Sequence, residues 1–315
     1  MSLLMRTPAV DPPAASEPGT SRRRVGTAAR RPAVGFAFVA PAAILVAALF
    51  LVPLGILIYM SFTDWPLIGS PHVNGLDNYR ALGSDDQFLG AIKFTLLYTA
   101  ITTVVLFAIA FALVAISGSS RRGTTFYRTA FFLPYVVGTA AASSMWWVNS
   151  NDQLGVFNKV LHATGITNQP ADLLGTPDRA LVTVIALVVW KFVGFQVIVL
   201  LVGLQAIPTE WYEAARMDGA STWQRLRYIT LPALRPTLAL LTILSVTGSL
   251  LAFDQFFVLT HGGPDNSTVT VVLALYNKAF QSFRLGNAAA EAVVILIVLV
   301  LVNAIQLRLF REREN

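Results

Sequence analysis

The sequence predicts an all-α membrane protein with six transmembrane helices and both termini on the cytoplasmic side. Three observations carry this reading. Apolar runs long enough to span a bilayer recur six times. Charged residues make up 13% of the 315, against about a quarter in soluble chains. Lys and Arg concentrate in alternate loops. With 55% hydrophobic residues and a mean hydropathy of +0.62, an ordinary soluble enzyme is excluded.

A span needs about 20 apolar residues. The first run, Ala33 to Met60, is uncharged and contains Pro41 and Pro53. It is about twice as long as the core of a secretory leader, and five more runs follow, so it reads as a span. The second covers Phe94 to Ile116, and the third Thr129 to Val148, which Trp146 and Trp147 close. The fourth, Ala180 to Leu204, holds Lys191. The fifth, Thr237 to Leu259, holds Asp254 near its end. The sixth, Ala288 to Leu309, carries Glu291 a turn from its start, which reads as interfacial.

Orientation follows from the basic residues. Of 23 Lys and Arg, 16 fall in the two tails, the second-to-third loop and the fourth-to-fifth loop; six fall in the opposite loops. Basic loops stay cytoplasmic. The net charge of +6 is thus topological, and membrane lipid, not nucleic acid, is the expected partner. Residues 1–32 read as a disordered basic tail, 33–310 as the membrane domain and 311–315 as a short cytoplasmic tail.

Several chemistries find no support. There are no cysteines, which excludes thiolate zinc sites, iron–sulfur clusters and a thiol nucleophile. His72, His162 and His261 lack metal-ligand spacing. The stretch Gly118 to Thr125 has phosphate-loop glycine spacing, but Thr124 stands where the lysine belongs and no strand precedes it. The chain is expected to hold no cofactor, no metal and no catalytic residue.

The loop 207–232 is the most patterned segment. Thr209 after Pro208 is placed to cap the first helix, with Glu210 and Glu213 near its positive end. Asp218-Gly219 predicts a left-handed stop. Ser221 with Gln224 fits a capping box that starts a second helix, whose extent Pro232 limits. The plain alternative is a connector that only caps its own helices.

Here a resemblance enters. Glu213-Ala214-Ala215, Gly219, Ile229, Leu231 and Pro232 resemble the signature loop of the permease subunits of ABC importers, at the spacing of that family. Phe253-Asp254 and Val258-Leu259-Thr260 through Gly262-Gly263-Pro264 are similar to a stretch of its carbohydrate-uptake, maltose- and glycerol-3-phosphate-like members. The resemblance implies a permease that makes and breaks no bonds. It implies a second permease, two ATPase subunits holding ATP and Mg, and an extracytoplasmic solute-binding protein. It assigns Glu213, Ala214 and Gly219 to docking on an ATPase subunit, with Ala215, Arg216 and Asp218 beside them. The setting is a bacterial inner membrane, multi-pass. An ion-gradient-driven carrier is the alternative, and it predicts paired broken helices and ionisable residues at mid-membrane.

Charges in a bilayer are costly, so Asp254 and Gln255 are candidates for the solute pathway. Lys191 and Trp146 are weaker ones. Lys191 suits snorkelling or pairing with a sister subunit, and Trp146 an interfacial belt.

Overall fold

The structure is a computed structural model that describes residues 32–117, 124–151, 155–165 and 172–311. Residues 1–31 of the predicted tail 1–32, the glycine–arginine turn 118–123 and residues 312–315 lie outside the described residues. The chain divides into two units at Pro53.

In the first unit, α1 (Pro32–Val46) runs through Pro41 into a π turn, Ala47–Leu51. The π turn falls just before Val52-Pro53, where proline removes a donor from the ladder. The second unit opens within α2 (Val52–Ser61). A two-residue antiparallel ribbon follows, β1 (Thr63–Asp64) on β2 (His72–Val73). Asn78 of α3 (Asp77–Gly83) donates to the carbonyls of Ser61 and Thr63, both at 2.9 Å, and fixes this turn.

The long helices are α4 (Asp86–Ser117), α8 (Pro177–Gln205) and α14 (Leu285–Arg311). Between α4 and α8 come α5 (Thr124–Val136), α6 (Thr139–Ser150) and α7 (Val156–Ala163). After α8 come α9 (Thr209–Met217), α10 (Thr222–Arg225), α11 (Leu231–Ala233), α12 (Arg235–Leu250) and α13 (Val271–Tyr276). Among the described residues, four helices are long and apolar enough to cross a membrane: Phe38–Ser61, Asp86–Ile116, Pro177–Gln205 and Leu285–Phe310. Two bent pairs raise the count to six if each is one span.

Helix α8 is central. Over half of its apolar stretch is buried, 56% against 22% for α14, so it packs on several sides while α14 faces outward. It contacts α4 and α5, and α12 lies against α4 and α14. In a bilayer, close approach and polar bonds between helices carry association, because lipid tails are as apolar as leucine. Gly194 illustrates the first: a methyl there collides with the main chain of Phe131 and Phe132 on α5. Between helices, Gln196 donates to Ser245 at 2.7 Å and Thr247 meets Asn303 at 3.1 Å.

Three expectations need correction. The third span is not one helix: α5 and α6 meet at 98° across Val137-Gly138. Pro134 removes one ladder donor, and Gly138 then takes an extended conformation. The fifth span stops at Leu250, nine residues early, because tertiary bonds replace helical ones. Thr270 donates to the Ala252 carbonyl at 2.8 Å, and Thr95 accepts from the Val271 amide at 3.0 Å. Finally, Glu291 is not interfacial but fully buried.

Lys278 explains that burial. It sits on a π turn after α13, Asn277–Gln281, and its ammonium reaches both Asp85 and Glu291. Asp85 also accepts the Phe88 amide at 3.0 Å and so caps α4. One cation therefore ties the start of α4 to α14. Burial alone raises the Asp85 carboxyl, but the Lys278 hydrogen bond and the Phe88 amide outweigh it and hold it below 3.8. Burial likewise pulls Lys278 down, and its two carboxylate bonds more than reverse this, holding it above 10.5.

Candidate functional site

The loop between α8 and α12 folds as an elbow on local bonds. Helix α9 starts at Thr209, but Pro208 holds the cap position and no side chain caps it, so Thr209 does not take the role expected of it. The far end is a complete Schellman motif. Ala220 donates to the Ala215 carbonyl at 2.8 Å and Gly219 to that of Arg216 at 3.1 Å. Gly219 has φ +75°, and a methyl there meets nothing within 4 Å, so conformation and not space demands glycine.

Ser221 and Gln224 then form the predicted capping box, at 2.7 and 3.3 Å. The helix runs one residue past Pro232 and ends at Ala233, the limit expected. On the way it passes through a π turn, Leu226–Thr230, into α11, and the chain bends 66° before α12. The π turn accommodates the donor that Pro232 lacks. Tyr212 and Thr230 share a hydroxyl hydrogen bond of 2.9 Å that closes the elbow.

What the elbow presents is unusual for a surface. Glu213, Ala214, Arg216, Asp218 and Gly219 are exposed and Ala215 is half-buried. Around them Trp211, Met217, Trp223 and Tyr228 are exposed too. Large aromatic and methionine side chains beside charges are the composition of a protein interface.

The second feature is a cavity of about 430 Å³ walled by α4, α8 and α12. Asp254 and Gln255 line it, as do Tyr98, Gln196, Ser245 and Ser249. Gln255 is buried and donates to the Tyr98 hydroxyl at 3.3 Å, while Asp254 is exposed. Of the four candidate pathway residues, the structure brings these two together and sends the others elsewhere. Lys191 is buried, but its ammonium donates to the carbonyls of Tyr135, at 3.3 Å, and of Val137. It satisfies main-chain groups that the break after α5 sets free, which a bilayer cannot do. Trp146 packs its ring against Phe157 at 4.8 Å and Trp190 at 6.0 Å, outside the cavity lining.

Gln196, Ser245 and Ser249 escaped the sequence reading. The signal was present on α12: Leu241, Ser245, Gly248 and Ser249 recur on one helical face and all line the cavity. The second motif, by contrast, is mostly architecture. Phe256 packs edge-on against Tyr98 at 4.9 Å, and Phe253 stacks on Phe257 at 5.1 Å. Thr268 donates to the Gly263 carbonyl at 2.7 Å and its hydroxyl lies 2.8 Å from that of Thr260, knotting the turn where His261 and Gly262 adopt positive φ.

Residues 120–314 match the family model described as the binding-protein-dependent transport system inner membrane component. The chain belongs to that family, the permeases of ABC importers. This permease is 34% identical over 257 residues to the multiple sugar-binding transport system permease protein MsmF of Streptococcus mutans, covering 81% of this chain and 88% of that one. It is 32% identical over 284 residues to the sn-glycerol-3-phosphate transport system permease protein UgpA of Agrobacterium fabrum, covering 89% and 95%. In fold it is similar to a bacterial ABC transporter involved in the import of the acidic polysaccharide alginate. The TM-score there is 0.77 at 24% identity, over 90% of the permease and 96% of that chain.

Proposed function

We propose that this permease forms, with a second permease subunit, the membrane pathway of an ATP-driven importer for a sugar or sugar-like solute. Both termini and the elbow 207–232 face the cytoplasm, and six spans cross the inner membrane. ATP and Mg bind on two partner ATPase subunits, not on this chain. An extracytoplasmic binding protein delivers the solute.

One observation carries the reading: the exposed elbow is the direct continuation of the two helices that wall the cavity. Gln196 lies nine residues before the end of α8 and Ser245 ten after the start of α12. At 1.5 Å per residue the cavity groups lie about 15 Å along each helix from the elbow. A force applied by an ATPase subunit at Glu213, Ala214 and Gly219 thus reaches the cavity wall through α8 and, across the 66° bend, through α12. Asp254 and Gln255 then contact the solute.

The two bent pairs are what an ion-gradient carrier also has. Purification of the tagged chain from its native cells, with partners counted, separates the readings. The importer reading expects a second permease and two ATPase copies, and uptake in liposomes that stops without ATP. A chain recovered alone that transports without ATP overturns it.

A further inference from the structure

The elbow carries its charge in two parts. Its first limb, α9 with the stop after it, holds Glu210, Glu213 and Asp218 against Arg216. From Ser221 to Arg235 there is no acid, and Arg225, Arg227 and Arg235 are basic. Arg225 donates to Thr222 within its own turn at 3.1 Å. Neither it nor Arg227 makes an ion pair among the described residues.

The basic limb also exposes its aromatic side chains, Trp223 by 68% and Tyr228 by 73%. Trp223, Leu226 and Arg227 stand three and four residues apart, so they share one helical face, and all three are exposed. The limb runs as Thr222–Ala233 and meets α12 at 66°. An upright α12 therefore leaves it about 24° from the membrane plane, the complement of that angle. The ordinary tilt of a span, about 20°, keeps it nearer the plane than the normal.

Aromatic and basic side chains on a helix lying along a bilayer sit at headgroup level, where rings find apolar depth and guanidinium groups find phosphate. The cytoplasmic leaflet is negative at its surface, so it attracts the basic limb and repels the acidic one. The 2.9 Å bond between Tyr212 and Thr230 joins the two limbs, so seating one sets the position of the other.

We propose that the limb Thr222–Ala233 docks on the headgroups of anionic phospholipids in the cytoplasmic leaflet. Trp223 and Arg227 make the contact, flanked by Arg225 and Tyr228, and α9 is thereby held out toward the ATPase subunit. The inference rests on the importer reading for the side of the membrane, and it divides the exposed aromatic groups of the elbow between two partners.

Brominated lipids quench tryptophan fluorescence on contact, which gives the test. The intact complex is purified in mild detergent and reconstituted in vesicles of phosphatidylcholine and phosphatidylglycerol, with one or the other lipid brominated near the top of its acyl chains. The difference between wild type and Trp223→Phe isolates the signal of this tryptophan. Brominated phosphatidylglycerol should quench it more than brominated phosphatidylcholine does. Arg227→Gln should lower that preference by up to about fivefold, the pull of an anionic surface on one arginine. Arg227→Lys should restore it, and the ATPase subunits should copurify with Arg227→Gln in the wild-type amount.

A Trp223 signal that neither brominated lipid quenches overturns the proposal, and so does quenching without preference for the anionic lipid. Loss of the ATPase subunits from Arg227→Gln and Trp223→Phe, with the lipid signal unchanged between variants, assigns the limb to the ATPase interface instead. A chain that copurifies with no ATPase subunit overturns the importer reading. The quenching is read on that chain all the same and decides the membrane contact by itself.

Discussion

The Lys191 ammonium lies 3.3 Å from the Tyr135 carbonyl, on the last turn before the chain bends through 98°. Lys191 thus acts as a side-chain cap for the broken α5. Lys191→Met leaves buried carbonyls without a donor, so the complex should lose about 1–3 kcal/mol of stability. Its melting temperature in detergent should fall, and the half-saturating solute concentration should not move. A weakened solute affinity at an unchanged melting temperature would return Lys191 to the pathway.

The Lys278 cluster predicts a non-additive mutant cycle. Lys278→Met strands the buried Glu291 and should cost about 3–5 kcal/mol. Adding Glu291→Met should recover much of that loss, since paired charges and packed apolar groups of similar size are close in energy. Thermal denaturation of both variants measures the difference. A double variant no more stable than the single one would contradict this account.

The same cluster sets a pH window. Asp85 is held below 3.8 in the folded protein, so its contribution is present above that value and is lost as pH falls through the folded value. Lys278 is held above 10.5, so its contribution is present below that value and is lost as pH rises through the folded one. Stability from this pair should stay flat across the neutral range and decline only at the extremes. Wild type and Asp85→Asn should therefore differ by a constant amount between about pH 5 and 9. A difference that varies within that range would rule out the assignment.

At the elbow, Gly219 supplies a left-handed residue and nothing more. Gly219→Val should cost about 1–2 kcal/mol locally and disturb the docking surface, while Gly219→Asn, which tolerates this conformation, should be milder. Uptake and ATP hydrolysis measured together should show hydrolysis persisting as uptake falls, in the order Asn then Val. Glu213→Lys should uncouple them with the elbow still folded. Full coupling in all three variants would remove the elbow from energy transfer.

Much of this was legible in the sequence, and the boundary of legibility is physical. Gly219, Ser221 and Gln224 act through bonds to residues within five positions, so local chemistry revealed them. The bend after Pro134 was less legible, because it rests on Lys191, 54 residues from the Val137 carbonyl it meets. Hydropathy averaged across Leu251 to Leu259 because the residues stay apolar while the backbone leaves the helix and the Ala252 carbonyl goes to Thr270. Glu291 looked shallow by position, and only Lys278, which folds back from another turn, makes its burial tolerable. Asp254 was visible as a lone charge. The hydroxyls beside it were not, because Ser and Thr in an apolar helix ordinarily bond to their own carbonyls.

Where Gly194 meets Phe131, main chain touches main chain with no side chain between to roll or slip. Helices α5 and α8 must consequently travel as a single block, clamped by contact at Gly194 and by the Lys191 tie one turn away. Whatever widens or narrows the cavity has to happen on its other wall. There Gly248 has no neighbour within 4 Å of where a methyl would sit, so that wall carries no such main-chain clamp.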